Sequence, residues 1–114
     1  MLVKTKKLNL TSNFKTENGY ILKEPVVSYE EYGQPDGEVI FINHGGLSSM
    51  HAAGLYENEK ISTAWWDGLI GPGKTLDTNK YRIICPNALG SMYGTTSPLS
   101  VNPDTGKPYG PDFP

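Results

Sequence analysis

The chain has 114 residues, with ten basic and twelve acidic side chains and a formal net charge of −2. This length corresponds to one domain or part of one, and the near-balanced charge excludes a basic surface for nucleic acid or an anionic membrane. No stretch approaches the roughly 18 to 20 apolar residues of a membrane span, and the first residues lack the apolar core of a secretory signal. A single cysteine excludes an internal disulfide. We therefore expect a cytoplasmic protein.

The amino-terminal residues are typical of β-structure. Asn18-Gly19 is a strong signal for a two-residue type I′ turn, because both central residues of such a turn need a positive φ. It predicts a hairpin that joins residues 10–16 to residues 20–23. Residues 26–32 continue as a further strand, which ends at a turn rich in Gly, Pro and Asp.

Two strands with consecutive apolar residues follow. Residues 38–43 are apolar on neighbouring positions, which predicts a strand buried on both faces, as in a parallel sheet covered by helices. Residues 81–85 form the second such strand. Between them we expect short helical segments at 52–60 and 62–69. The order of strand, loop, helix and strand indicates an α/β unit.

This α/β unit has too little helix to be complete. A parallel sheet needs cover on both faces, whereas residues 87–114 consist mostly of Gly, Pro, Ser, Thr and Asn without periodicity. We therefore expect residues 1–114 to be the amino-terminal segment of a single larger domain, or one piece of a split one. Its fold class would be α/β, an antiparallel hairpin leading into a mostly parallel sheet that is incomplete on its own.

The segment Gly68–Thr75 matches the phosphate-loop pattern G-x-x-x-x-G-K-T letter for letter. Phosphate binding by such a loop needs a buried strand before it and a helix after it, whose first amides hold the phosphates. Residues 64–67 do not resemble a buried strand, and residues 76–80 are too few for the helix. We interpret the segment as a turn.

A histidine and two glycines, His44-Gly45-Gly46, follow the first buried strand. In α/β-hydrolases a loop of this type supplies one donor of the oxyanion hole, and the alternative interpretation is a tight turn with a structural histidine. The chain has no G-x-S-x-G nucleophile elbow. Both of its histidines also precede any position for one, whereas the catalytic histidine of this fold follows the nucleophile. No catalytic triad can be assembled from these residues.

The remaining candidates have plain structural interpretations. Cys85 is expected to be a small buried hydrophobic residue of its strand, and Trp65 and Trp66 to belong to the core. Glu30 and Glu31 are neighbours on a strand, so they point to opposite faces and cannot act as a carboxylate pair. The two histidines have no ligand partners at a suitable spacing, so no metal site is expected.

Four segments of the chain together resemble the amino-terminal third of the homoserine O-acetyltransferase family, which has the α/β-hydrolase fold. They are VVSYEEYG (26–33), NHGGLSSMHAAG (43–54), WWDGLIGPGKTLD (65–77) and NALGSMYGTTSPLSVNPDTGKPYGPDFP (87–114). The phosphate-loop pattern lies inside the third segment, which supports its interpretation as a turn.

The resemblance implies a ping-pong acyl transfer. A serine would take an acyl group from acetyl-CoA or another acyl-CoA and pass it to the hydroxyl group of a small amino-acid substrate. The serine, aspartate and histidine of the family would lie on a complementary C-terminal polypeptide, so this chain would not be catalytic alone. The complete enzyme would be a homodimer, with no bound cofactor.

Seven residues match functional positions of the family. The residues expected to be catalytic are His44, Gly45 and Gly46, with the Gly46 backbone N–H as oxyanion donor. The residues expected to bind substrate are His51, Asn87, Gly90 and Gly94.

The oxyanion loop departs from the family, which usually has His-Ala-Leu-Thr-Gly where this chain has residues 44–48, HGGLS. A glycine in place of leucine keeps the backbone N–H but changes the wall around the acyl group. Because His-Gly-Gly is also common among hydrolases, the same scaffold acting as an esterase is an alternative. A further alternative is a non-catalytic binding or structural remnant.

Overall fold

The computed structural model describes residues 1–114 and contains eight β-strands, one short 3-10 helix at Gly110–Asp112 and no α-helix. No helix has the length and hydropathy that a bilayer crossing requires. The strands are β1 Lys6–Asn9, β2 Phe14–Lys15, β3 Ile21–Leu22, β4 Val26–Gly33, β5 Glu38–Phe41, β6 Ile70–Gly71, β7 Leu76–Asp77 and β8 Tyr81–Pro86.

Four strands form the main sheet, in the order β1-β4-β8-β5. β4 is antiparallel to both β1 and β8, and β5 is parallel to β8. The expectation of a mostly parallel sheet is therefore wrong for these residues. The turn at residues 34–37 reverses the chain between β4 and β5, so β8, which lies between them, is antiparallel to one and parallel to the other.

One face of this sheet carries the core. Ser28, Glu30 and Tyr32 alternate along β4 as buried residues, and the register pairs Tyr32 with Ile83 and Glu30 with Cys85 on β8. The irregular segment 44–70 covers this face. The buried hydrophobic cluster consists of Val3, Tyr32, Ile42, Met50, Ala52, Ala53, Ile70, Ile83 and Cys85.

The opposite face of the sheet is open. Val39 and Phe41 on β5 are 53% and 60% exposed, because no other segment of the 114 residues lies over them. The predicted burial of residues 38–43 on both faces is therefore wrong in this chain, where Ile42 is buried and its neighbours are exposed. β5 is also an edge strand, so its backbone has no partner on one side.

The helical segments expected at 52–60 and 62–69 are wrong, because both stretches form turns and bends. Some of their backbone groups form isolated turns, and others bond to more distant parts of the chain. Leu55 pairs with the amino-terminal residues, and the Trp66 N–H donates to the carbonyl of Ala52 at 2.8 Å. These long-range bonds satisfy the backbone without a helix.

The predicted hairpin is present, since β2 and β3 pair antiparallel. Its turn differs from the expected type I′ turn. Three residues separate the bonded pair Thr16 and Tyr20, and Gly19 has a φ of +87° whereas Asn18 has no positive φ. A three-residue loop needs one residue with positive φ, which the glycine provides.

The phosphate-loop pattern at Gly68–Thr75 is a turn, as expected. No helix follows it, and several of its amides are already bonded: the Gly73 N–H donates to the Asp77 carboxylate at 2.9 Å. The Lys74 ammonium donates to the carbonyl of Asp67 at 2.5 Å. Residues 87–114 are irregular apart from the 3-10 helix, as the composition predicts.

Candidate active-site segment

The loop after β5 begins with a histidine that joins it to the loop after β8. The His44 Nδ1 lies 2.7 Å from the carbonyl oxygen of Gly45, and its Nε2 lies 2.9 Å from the backbone nitrogen of Ala88. Both bonds form when the imidazole is neutral, with its proton on Nδ1, because Nδ1 must donate and Nε2 must accept. His44 thus ties the ends of two neighbouring strands together.

The tip of this loop is exposed and carries a free donor. Gly46 is the second residue of a turn closed by the Ser48 N–H, which donates to the carbonyl of Gly45 at 3.0 Å. The N–H of Gly46 donates to no acceptor in the chain. A Cβ at either glycine would meet no atom within 4 Å. The tip therefore combines an unpaired backbone N–H with an exposed, open position.

The far end of the loop is anchored in the core by Tyr32. The Tyr32 hydroxyl accepts the N–H of Ala52 at 2.9 Å and lies 3.0 Å from the carbonyl oxygen of Met50. It also donates to Glu30 Oε2 at 2.5 Å. Burial, followed by this bond to Glu30, raises the pKa of the Tyr32 phenol. Its hydroxyl therefore stays protonated as a donor over the neutral range.

Glu30 is completely buried, and its carboxylate accepts hydrogen bonds from the side chains that hold the end of the loop. Besides Tyr32, the Tyr56 hydroxyl donates to Oε1 at 2.5 Å, and His51 Nδ1 lies 3.1 Å from Oε2. A buried carboxylate is costly without donors, and three donors satisfy this one. Burial and the bond to Glu30 also raise the pKa of Tyr56.

His51 lies inside this network. It is 5% exposed, its ring stacks on Tyr56 with a centroid distance of 4.0 Å, and its Nε2 is 3.6 Å from Glu59 Oε2 without a hydrogen bond. The expected substrate contact of His51 stays a prediction. The ring also borders a cavity of about 350 Å³ between the loop and the aromatic side chains of Tyr56 and Trp65.

Asn87 connects the two loops through its side chain. Its Oδ1 accepts the N–H of Met50 at 3.3 Å, and its Nδ2 donates to Ser91 Oγ at 2.6 Å and to the carbonyl of Met92. The residue is 1% exposed. Its substrate-binding role also stays a prediction, and what the structure places there is a bridge between the loop after β5 and the loop after β8.

Gly90 and Gly94 lie on the loop after β8, where both have a positive φ, +83° and +103°. A Cβ at Gly94 would come within 2.7 Å of Ser28 Oγ, and one at Gly90 within 3.2 Å of the Phe113 ring. These contacts explain both glycines by backbone geometry and close packing. The structure thus brings His44 and the Asn87 side chain to the loop after β5, whereas Gly90 and Gly94 pack against Phe113 and Ser28.

Three further expectations concern buried side chains. Cys85 is completely buried, as expected, and burial raises the pKa of its thiol to about 12. Trp65 packs against the core and donates its indole N–H to the carbonyl of Ser49 at 2.8 Å. Trp66 is 42% exposed, so its assignment to the core is wrong. No group of three or more metal-ligating side chains is arranged around a common point.

Glu30 is the residue that sequence reasoning missed. The prediction that it points away from Glu31 is confirmed, because Glu31 binds Lys6 and Arg82 on the other face. The sequence did contain a signal for its role, because Glu30 lies between Ser28 and Tyr32 on the inward-facing side of a strand whose buried and exposed residues alternate. Its partners outside β4 are His51, which directly precedes the helix expected at 52–60, and Tyr56, which lies within it, so their approach to β4 could not be seen.

Comparison with known proteins agrees with this geometry. No family model matches the chain. Homoserine O-acetyltransferase from Deferribacter desulfuricans is 49% identical over 116 residues, covering 99% of this chain and 31% of that protein. Homoserine O-succinyltransferase from Hydrogenovibrio crunogenus is 43% identical, covering 99% and 30%. Almost the whole chain is thus similar to part of the homoserine O-acyltransferases. It spans less than a third of the length of these two relatives.

Solved structures give the same assignment. Homoserine O-acetyltransferase from Bacillus anthracis matches with a TM-score of 0.90 at 40% identity, over all of this chain and 32% of that one. Esterase E22 matches with a TM-score of 0.85 at 38% identity, over 98% and 33%. The chain therefore matches part of α/β-hydrolase structures, and a similar backbone occurs in a homoserine O-acetyltransferase and in an esterase.

Proposed function

We propose that this chain supplies the oxyanion-hole segment of a serine-dependent acyl transfer from an acyl-CoA to the hydroxyl group of an amino acid such as homoserine. The observation that carries the proposal is the free N–H of Gly46, exposed at the tip of the loop after β5 in a chain similar to the homoserine O-acyltransferases. His44 holds one end of that loop and Tyr32 the other.

The chemistry fits a donor held in this way. When a serine attacks a thioester or ester, the carbonyl oxygen becomes an oxyanion, and preorganised backbone N–H groups stabilise it more than they stabilise the substrate. Gly46 would supply one such donor and the residue after the nucleophile the second. The same hole would serve both half-reactions, acylation of the serine by acetyl-CoA or another acyl-CoA and transfer to the acceptor hydroxyl.

The nucleophile, acid and base would come from a complementary C-terminal polypeptide. The open edge of β5 offers unpaired backbone groups to a further strand, and the exposed Val39 and Phe41 offer apolar area to helices that cover the sheet. Both features support a partner that continues the same fold. The homodimer of the complete enzyme and its cytoplasmic location stay predictions.

A chimera tests the proposal directly. The matching 31% of the Deferribacter desulfuricans homoserine O-acetyltransferase is replaced by residues 1–114 of this chain, and thiol release from acetyl-CoA is followed with and without homoserine. We expect release that depends on homoserine. The unmodified relative is the positive control. Co-expression of this chain with the rest of that relative, as two polypeptides, tests complementation.

The likeness to esterase E22 favours one second candidate, hydrolysis on the same scaffold. Thiol release at the same rate without homoserine, or faster cleavage of a simple ester such as 4-nitrophenyl acetate, would support the esterase and contradict the transferase. A folded chimera without either activity would support a non-catalytic remnant.

A further inference from the structure

We propose that Glu30 is a positioning residue, which fixes the end of the oxyanion loop through the three side chains that donate to it. The link from this loop to catalysis rests on the proposed function. The positioning itself rests only on the contacts around Glu30.

The first step is where the donors come from. Tyr32 belongs to the same strand as Glu30, but His51 and Tyr56 belong to the segment that leaves the oxyanion loop. The Tyr32 hydroxyl in turn accepts the backbone N–H of Ala52. Every partner outside β4 therefore lies within residues 50–56, immediately after the loop with the free Gly46 N–H.

The second step is that the carboxylate organises this segment and not the sheet. The backbone of Glu30 pairs with Cys85 on β8 irrespective of its side chain. An ionised carboxylate accepts on both oxygens, and here Oε1 and Oε2 are both engaged. The amide of a glutamine has one accepting oxygen, and its nitrogen cannot accept from the tyrosine hydroxyls or the ring N–H. Glu30→Gln therefore removes part of the anchor and leaves the strand pairing.

The third step is that one hydrogen bond of the chain allows the position of the loop to be measured. The indole N–H of Trp65 donates to the carbonyl of Ser49, which lies inside the loop, so its hydrogen exchange reports the position of the loop. Trp66 is 42% exposed and serves as the internal reference. The amide of Ile42, which donates to the carbonyl of Ile84 at 2.9 Å, reports the sheet.

The experiment is hydrogen exchange by NMR on the full chain and three variants. Glu30→Gln is the test. Glu31→Gln is the matched control, because the Glu31 carboxylate belongs to the next residue of β4 but faces the other side of the sheet. Tyr56→Phe is a milder second test, since it removes one donor and leaves the carboxylate.

We expect Glu30→Gln to speed exchange of the Trp65 indole about tenfold and Tyr56→Phe about threefold, with the Ile42 amide within about twofold of the parent chain. Glu31→Gln should leave the Trp65 indole unchanged. Unchanged Trp65 exchange in both test variants would overturn the proposal. Equal acceleration of Trp65 and Ile42, or loss of the fold in Glu30→Gln, would also overturn it, because Glu30 would then be a general stability residue.

A kinetic measurement on the chimera adds the catalytic consequence. A displaced donor weakens transition-state stabilisation more than substrate binding, so Glu30→Gln should lower kcat about tenfold with KM for acetyl-CoA within about threefold. Glu30→Asp, which keeps the charge, should recover part of kcat. An inactive chimera contradicts the proposed function but leaves the exchange result to decide the positioning role, so the two failures are distinguishable.

Discussion

The loops that follow the two parallel strands, β5 and β8, are both rich in glycine and polar residues, yet the structure holds them in different ways. The loop after β5, residues 44–51, is tied at its ends by His44 and by Tyr32, and its tip is free. The loop after β8, residues 87–96, is tied along its length. Its backbone bonds include Gly90 to Thr96 and Thr96 to β4.

The glycines of the two loops reflect this difference. Gly45 and Gly46 have no positive φ and face open space, so no backbone strain and no contact requires glycine there. Gly94 has a φ of +103° and no room for a Cβ. A glycine pattern alone therefore does not separate a loop that presents its backbone to a ligand from one that is packed.

The largest expected effect concerns the free tip. Gly46→Pro in the chimera removes the N–H and adds a ring for which there is room, because the second position of a turn accepts proline and a Cβ there meets open space. We expect kcat to fall about 100-fold or more, which is the usual cost of removing one oxyanion donor. Steady-state thiol release measures it.

The control for that change is Gly46→Ala, which adds a side chain and keeps the N–H. We expect kcat within about threefold of the parent chimera. If alanine and proline reduced kcat equally, the side-chain space at the tip, and not the N–H, would matter for the reaction.

The next effect concerns the packed loop. Gly94→Ala places a Cβ on Ser28 Oγ and forces an alanine to a positive φ, so we expect a loss of about 3 kcal/mol in the free energy of unfolding. Gly45→Ala should cost less than about 0.5 kcal/mol, because its site is open. Urea unfolding of the two variants compares the loops, and equal losses would contradict the distinction between them.

Asn87 is the point where the two loops meet, and its truncation is expected to have an intermediate effect. Asn87→Ala leaves the buried N–H of Met50 without an acceptor, which should lower the free energy of unfolding by about 2 kcal/mol. Asn43→Ala is the matched control, because Asn43 is exposed and its side chain makes no hydrogen bond. A loss below that of Asn43→Ala would show that the bridge contributes nothing to stability.

The sequence predicted those regions whose structure depends on local signals, and it failed where the structure depends on contacts between distant residues. The positions of β4 and β8 and the hairpin were predictable, because alternating or continuous apolar residues bounded by turn residues are local signals. The helices expected at 52–60 and 62–69 were wrong, because those residues bond to the amino terminus and to each other across the chain. Local propensity does not report such contacts.

The candidate site was predictable to a similar extent. The position of the His44–Gly46 loop after β5 could be read from the sequence, since a histidine and two glycines directly follow an apolar strand. Its anchor could not, because Glu30 is separated from His51 and Tyr56 by 21 and 26 residues. The sequence also did not predict that the sheet is mixed, because this depends on the position of β8 between β4 and β5.

The smallest expected effect concerns Glu31, which touches neither loop. Hydrogen bonds from Lys6 and then Arg82 lower the pKa of the Glu31 carboxyl. A carboxylate with a lower pKa in the folded chain stabilises the fold above its unfolded pKa and loses that contribution as the pH falls through its folded pKa. Because Lys6 is half-exposed, Glu31→Gln should cost no more than about 1 kcal/mol at pH 7.

That cost should shrink towards zero as the pH is lowered below the folded pKa of Glu31, where the parent carboxyl is also neutral. Urea unfolding of the parent chain and of Glu31→Gln at a series of pH values from neutral to strongly acidic measures it. A constant difference across the series would mean that Glu31 acts by packing and not by charge. Glu31 would then be a poor control for Glu30, and the contrast between an anchored loop and an ion-paired sheet face would need a different reference residue.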